Sequence, residues 1–155
     1  KPESFQQIAP TEMYRAPEKL LYRFISSQLV FAYDDKQTLS LNSCNIVIPR
    51  IPGLKMRYVL AILNSRIAQF IYKKEFNSVK VLRSHIENIP IPTVDEAIQD
   101  EIIVLTDKLI SGLKLEETEK VYDELDILVS KVFNLDSNEI EIIKKVVDGD
   151  NKFLA

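Results

Sequence analysis

The sequence predicts an α+β fold: a small antiparallel or mixed sheet packed on a buried central helix, followed by a C-terminal helical unit. Three observations carry this. Short apolar segments separated by polar turns crowd residues 20–48. A helix apolar on every side from Tyr58 to Leu63 then requires other elements to wrap it. Beyond Pro92 every apolar stripe has helical spacing. Ile89-Pro90-Ile91-Pro92 marks the change, because alternate prolines neither continue a helix nor fit a central strand. The expected division is therefore an α+β unit over 1–92 and an acidic unit of three helices over 93–155.

Taken in order, residues 1–19 contain Pro2, Pro10 and Pro17 and read as an extended lead-in, with a short anchoring strand at 13–15. Strands are expected at 20–25, with Arg23 between Leu21 and Ile25 on one face, and at 29–33, with Leu29, Phe31 and Tyr33 on one face. Ser26-Ser27-Gln28 and residues 34–37 read as turns. Clean alternation over 38–42 predicts a half-buried strand, and 46–48 a short one closed by Pro49 and Pro52. The central helix is expected over 54–72, then a strand-like segment at 79–82. Thr93 and Glu96 fit a capping box ahead of Ile98, Ile102, Leu105 and Leu109, with Gly112 at the end. A second helix is expected over 116–133 on Val121, Leu125, Leu128 and Val132. A third opens at Asp136-Ser137-Asn138-Glu139 with Ile140, Ile143 and Val147, and fraying is expected from Asp148.

The chain has 155 residues, enough for one sizeable core, and a net charge of −3. That total hides an asymmetry. Up to Pro90 there are 13 Lys/Arg and 7 Asp/Glu, a net of +6; from Ile91 on there are 7 and 16, a net of −9. A polyanion meets a surface and not an average, so a basic first part suggests nucleic acid and an acidic second part suggests protein contacts. No run of eighteen apolar residues indicates a membrane span. The start, KPESFQQIAP, lacks both a signal-type apolar region and a Met, as an excised piece of a larger protein would. One cysteine, Cys44, suits a reducing cytoplasm; one histidine, His85, leaves too few ligands for structural zinc.

Catalytic signals are sparse. An amino-methyltransferase needs a Gly-rich cofactor loop and an Asn/Asp-Pro-Pro-aromatic loop; neither occurs, and the three glycines Gly53, Gly112 and Gly149 lie near breaks. Two Asp-x-Lys triplets, at 34–36 and 150–152, leave open a small metal-dependent nuclease using Asp34, although a hairpin turn is the default for the first. Cys44 and His85 form a nucleophilic pair only formally, without a nucleophile motif.

Nucleic-acid binding remains. The expected contacts are Arg23, Lys36, Arg50, Lys55, Arg57, Lys73, Lys74, Lys80 and Arg83, with Arg15, Lys19 and Arg66 as further candidates. Arginine's planar fork matches a guanine edge, whereas lysine contacts are more often positional. Arg50, Lys55 and Arg57 surround a Pro/Gly loop; Lys73, Lys74, Lys80 and Arg83 flank Asn77-Ser78. These cations are expected to share a concave surface formed by the sheet and its helix. Tyr14, Tyr22, Tyr33, Tyr58 and Tyr72 read as core aromatics, Asn64 as a turn residue bonding a neighbouring backbone, and His85 as capped or solvated.

The order of apolar helix, Leu63-Asn64-Ser65, aromatic Phe70 and Tyr72, Lys80-x-Leu82-Arg83, Ile89-Pro-Ile-Pro and acidic helix resembles the TaqI-like C-terminal specificity domain of restriction–modification DNA methyltransferases. It is also similar to the recognition domains of type I restriction specificity subunits. The likeness spans roughly residues 22–109. It implies sequence recognition of double-stranded DNA for a methyltransferase or nuclease elsewhere in the parent chain, an adenine-methylating or fused restriction enzyme of phage defence. S-adenosylmethionine, and Mg²⁺ if the parent cleaves, would then bind outside this fragment, which would not itself be an enzyme. The helices after Pro92 would pack on the methyltransferase domain or a second copy. A protein-interaction module, with the acidic helices as working surface, stays open as the alternative.

Overall fold

A computed structural model describes residues 9–40 and 43–151, the side chains of 150 and 151 excepted. The fold is α+β. Helix α1 (Thr11–Tyr14) precedes strands β1 (Lys19–Arg23), β2 (Phe31–Asp34) and β3 (Cys44–Val47). Helices α2 (Met56–Leu63), α3 (Arg66–Glu75) and α4 (Arg83–Glu87) follow, then α5 (Glu96–Ser111), α6 (Leu115–Val132) and α7 (Ser137–Asn151). The sheet is antiparallel in the order β2-β1-β3, with Tyr22 between Phe31 and Asn45 and Leu21 between Ala32 and Ile46.

Strand pleating sorts these residues onto two faces. Leu20, Tyr22 and Phe31 are buried toward α2, whose residues Tyr58 to Leu63 are all buried, as an all-round apolar helix demands. The same core takes in Ile102 of α5, Leu125 and Val129 of α6 and Ile143 of α7, so burial is continuous across residue 92. Tyr58 donates to the Pro92 carbonyl at 2.8 Å and pins the Ile-Pro-Ile-Pro stretch to that core.

The central helix is two helices. After Asn64 the backbone turns extended at Ser65, whose Oγ donates to the Ile62 carbonyl and accepts the Ala68 amide, ending α2 and capping α3 in one step. That break frees Asn64 to do what a neighbouring strand would do. Its carboxamide accepts the Phe31 amide at 3.0 Å and donates to the Phe31 carbonyl at 2.9 Å. Gln69 clasps Leu29 in the same way, at 2.8 and 2.6 Å. The outer edge is thus closed by side chains at Leu29 and at Phe31, where β2 begins.

Other expectations need correction. Residues 11–14 are helical, because Met13 and Arg15 bond back to Pro10 and Thr11 while both sides of β1 are already taken. No strand forms over 38–40: Gln37 turns into the left-handed region (φ 54°), and Asp34 takes both the amide and hydroxyl of Thr38. Residues 41 and 42 lie outside the described residues, as does the lead-in before residue 9. The 79–82 segment makes a single bridge, Lys80 opposite Ile25, before α4 begins. The capping box at Thr93 does not form; Asp95 stands at the N-cap without a side-chain bond, since Gln99 holds the Val94 carbonyl and keeps the chain extended. A capping box does open α7, where Asp136 accepts the Asn138 and Glu139 amides and Glu139 accepts the amide of Asp136. That helix runs on past Asp148, which is held by Arg66.

Candidate nucleic-acid interface

The nine expected contacts do not gather on one surface. One group faces the acidic helices. Lys55 pairs with Glu96 at 2.8 Å and Asp100 at 2.7 Å. Arg57 reaches both carboxylate oxygens of Asp107, at 3.0 and 2.9 Å, and lies over the Tyr33 ring. Lys73 donates to the Val146 carbonyl of α7 at 3.2 Å. Arg66, only 13% exposed, joins Asp123, Asp126 and Asp148 and covers the Tyr122 ring. Burial opposes charge on Arg66, but Asp148 and Asp126 outweigh it and raise its pKa further. The Asp126 carboxyl is also raised, by burial that outweighs Arg66. These cations join the basic part of the chain to α5, α6 and α7.

A second group lies on the sheet face turned away from α2. Arg23 on β1 is exposed, flanked in register by Val30 and Cys44. Ile25 continues that face, and Lys80 stands opposite it in the bridge. No side-chain partner of Arg23 or Lys80 is found among the described residues. Leu21, Ala32 and Ile46 form the floor of this face, with Ala32 exposed. Around the outer edge of β3, through Ile46, it runs into a groove of about 740 Å³ flanked by Arg50 and Arg83. Arg50 is exposed; Arg83 pairs with Glu87 one helical turn on, at 2.6 Å. Lys36 and Lys74 are exposed elsewhere, Lys36 in the turn after β2 and Lys74 over the Phe70 ring on α3. Among the further candidates, Arg15 is exposed and Lys19 is not.

Lys19 is fully buried, ion-paired with Asp34 and donating to the Tyr14 carbonyl at 2.9 Å. Asp34 also accepts the Lys36 amide and the Thr38 amide and hydroxyl. Burial opposes its charge, yet the bonds from Lys19 and Thr38 win and hold its pKa down at about 2. Its oxygens are spent on the turn, which removes the group on which the nuclease alternative stood. Cys44 has its thiol pushed up by burial, the opposite of an activated nucleophile. His85 stacks on Phe76 and accepts the Leu82 amide at its Nδ1. Among the described residues no three His, Cys, Asp or Glu side chains could hold a metal ion, and no helix is long and apolar enough to cross a membrane.

Sequence reasoning listed the cations but missed their pairing. The signal was there in the opposite charges of the two halves, since +6 and −9 within one core must in part neutralise each other. The carboxamide clasps of Asn64 and Gln69 had no such signal beyond the bond expected of Asn64.

A family model described as the TaqI-like C-terminal specificity domain matches residues 1–91, which hold the whole sheet and helices α1 to α4. The chain belongs to that family. The TaqI-like specificity domain therefore begins earlier than the residue-22 start of the resemblance, and the match ends within the Ile-Pro-Ile-Pro stop, short of α5. Membership makes this a DNA specificity domain of the restriction–modification kind, which is not itself catalytic. No curated protein matches the chain.

Proposed function

We propose that this chain recognises a particular sequence in double-stranded DNA on behalf of a methyltransferase or nuclease carried elsewhere in a parent protein, an adenine-methylating restriction–modification enzyme of the cytoplasm. Family membership of residues 1–91 supports the reading. The observation that carries it to particular residues is the open sheet face, where Arg23 and Lys80 have no side-chain partner among the described residues and Ile46 leads to a groove lined by Arg50 and Arg83. Arg23 and Arg50 suit base edges and Lys80 a phosphate; Lys36, Lys74 and Arg83 are rim contacts. Lys55, Arg57 and Lys73 are already partnered and serve instead to hold the helical unit. S-adenosylmethionine, and Mg²⁺ where the parent cleaves, belong to the catalytic domain. Helices α5 to α7, with Val104, Ile127 and Ile142 exposed, offer that domain or a second copy a docking surface.

The test is a titration of the 155-residue chain with duplex DNA over a range of salt. Log K should fall steeply with log salt. Arg23→Ala should relax preference at particular base pairs, whereas Lys80→Ala should weaken all duplexes alike. Absence of binding at low salt would overturn the proposal.

A further inference from the structure

Ile25, like Val30 on the same face, is an exposed aliphatic side chain that neither the core nor the ion pairs account for. It is 64% exposed, yet its backbone is fixed. The Ser26 amide donates to the Val79 carbonyl at 3.0 Å and the Val81 amide to the Phe24 carbonyl at 2.8 Å, one bond on either side of the Ile25–Lys80 bridge. A single exposed aliphatic side chain is ordinary on a protein surface; what sets Ile25 apart is a fixed backbone and the cations beside it. Its neighbours define the partner. Arg23 lies two residues back on the same face, Lys80 directly across, and Val30, itself 46% exposed, beside Arg23.

An aliphatic strip between two cations complements a nucleic-acid groove, where phosphates line the rim and base edges form the floor. The B-DNA major groove is about 12 Å wide, and the apolar group presented there is the thymine C5-methyl. On the DNA reading proposed above, we infer that Ile25 is a specificity-determining residue that contacts a thymine methyl in the major groove, while Arg23 and Lys80 fix this end of β1 against the backbone and neighbouring base. Val30 widens the apolar contact.

The experiment first selects duplexes from a random library with the 155-residue chain, then replaces each thymine of the selected sequence, one at a time, by deoxyuridine. Deoxyuridine keeps every hydrogen bond and loses only the methyl. At one position the wild-type chain should lose about four-fold in affinity, the worth of one buried methyl-sized group. Ile25→Ala should bind thymine and deoxyuridine duplexes equally there, near the wild-type affinity for deoxyuridine. Lys80→Ala should weaken both and keep their ratio. Thermal unfolding of Ile25→Ala, a surface truncation, should match the parent. A selected sequence without thymine, no deoxyuridine-sensitive position, or an unchanged ratio in Ile25→Ala would overturn the inference while leaving DNA recognition intact. No selected sequence at all would overturn the DNA reading and this inference with it.

Discussion

The two faces of the sheet carry similar residues and put them to different use. On the side of α2, Leu20, Tyr22 and Phe31 close the core, and the cations nearby are met by the acidic helices: Lys55 by Glu96 and Asp100, Arg57 by Asp107, Arg66 by Asp123, Asp126 and Asp148. On the other face Arg23, Lys80 and the exposed Ile25 face solvent. The difference teaches that a tally of positive charge does not locate a polyanion site. A cation already neutralised by a carboxylate has no counterion to release when DNA arrives. The net +6 of the first 90 residues is therefore divided between cations that hold the molecule together and cations left open to solvent.

The comparison breaks most visibly at Arg66. Removing it leaves Asp126, 5% exposed, with the residue-66 amide but without the guanidinium, and breaking a buried pair in this way costs about 3 to 5 kcal/mol. Denaturant unfolding of Arg66→Ala should show that loss; a change below about 1 kcal/mol would mean that apolar packing alone holds α6 and α7. Next comes Asp34. Its folded pKa of about 2 lies below the ordinary 3.8. A carboxylate depressed by folding stabilises fully above its unfolded pKa, and that contribution fades as pH falls from about 4 to about 2, for a total of about 2 kcal/mol. Stability measured across that window should fall in the parent and stay flatter in Asp34→Asn.

A smaller effect tests the closed edge of β2. Asn64→Ala loses both bonds to Phe31, about 1 to 2 kcal/mol, and hydrogen exchange at the Phe31 amide should accelerate. Unchanged protection there would show that the clasp does not guard the strand. Smallest are Lys55→Ala and Arg57→Ala. Their side chains are 45% and 39% exposed, so solvent screens each pair, and its loss should change stability least and leave DNA affinity unchanged.

Much of this was legible in the chain. The all-round apolar run from Tyr58 to Leu63 announced a buried helix, and Gly112, at φ 82°, ended α5 where its spacing suggested. Turn chemistry was harder to read. Asp34-Asp35-Lys36-Gln37 was seen as polar, but nothing local showed that Asp34 would capture Thr38 and so abolish the alternating strand behind it. The break at Asn64-Ser65 was half visible: a turn at Asn64 with a bond to a neighbouring backbone was expected, but one helix was still expected over 54–72 because both halves share one apolar face. Among the expected contacts, Arg23 and Lys80 stand out on the face left uncovered. Which cations a distant acidic helix would reach depends on packing across separations of 41 to 82 residues, beyond any window of local pattern.

The most direct test is the salt dependence of duplex binding in two double variants, Arg23→Ala with Lys80→Ala and Lys55→Ala with Arg57→Ala. If the open face is the interface, the first pair lowers affinity and reduces the slope of log K against log salt by about 1 to 2, while the second leaves both as in the parent. The reverse pattern, with the slope set by Lys55 and Arg57 and indifferent to Arg23 and Lys80, would contradict the account.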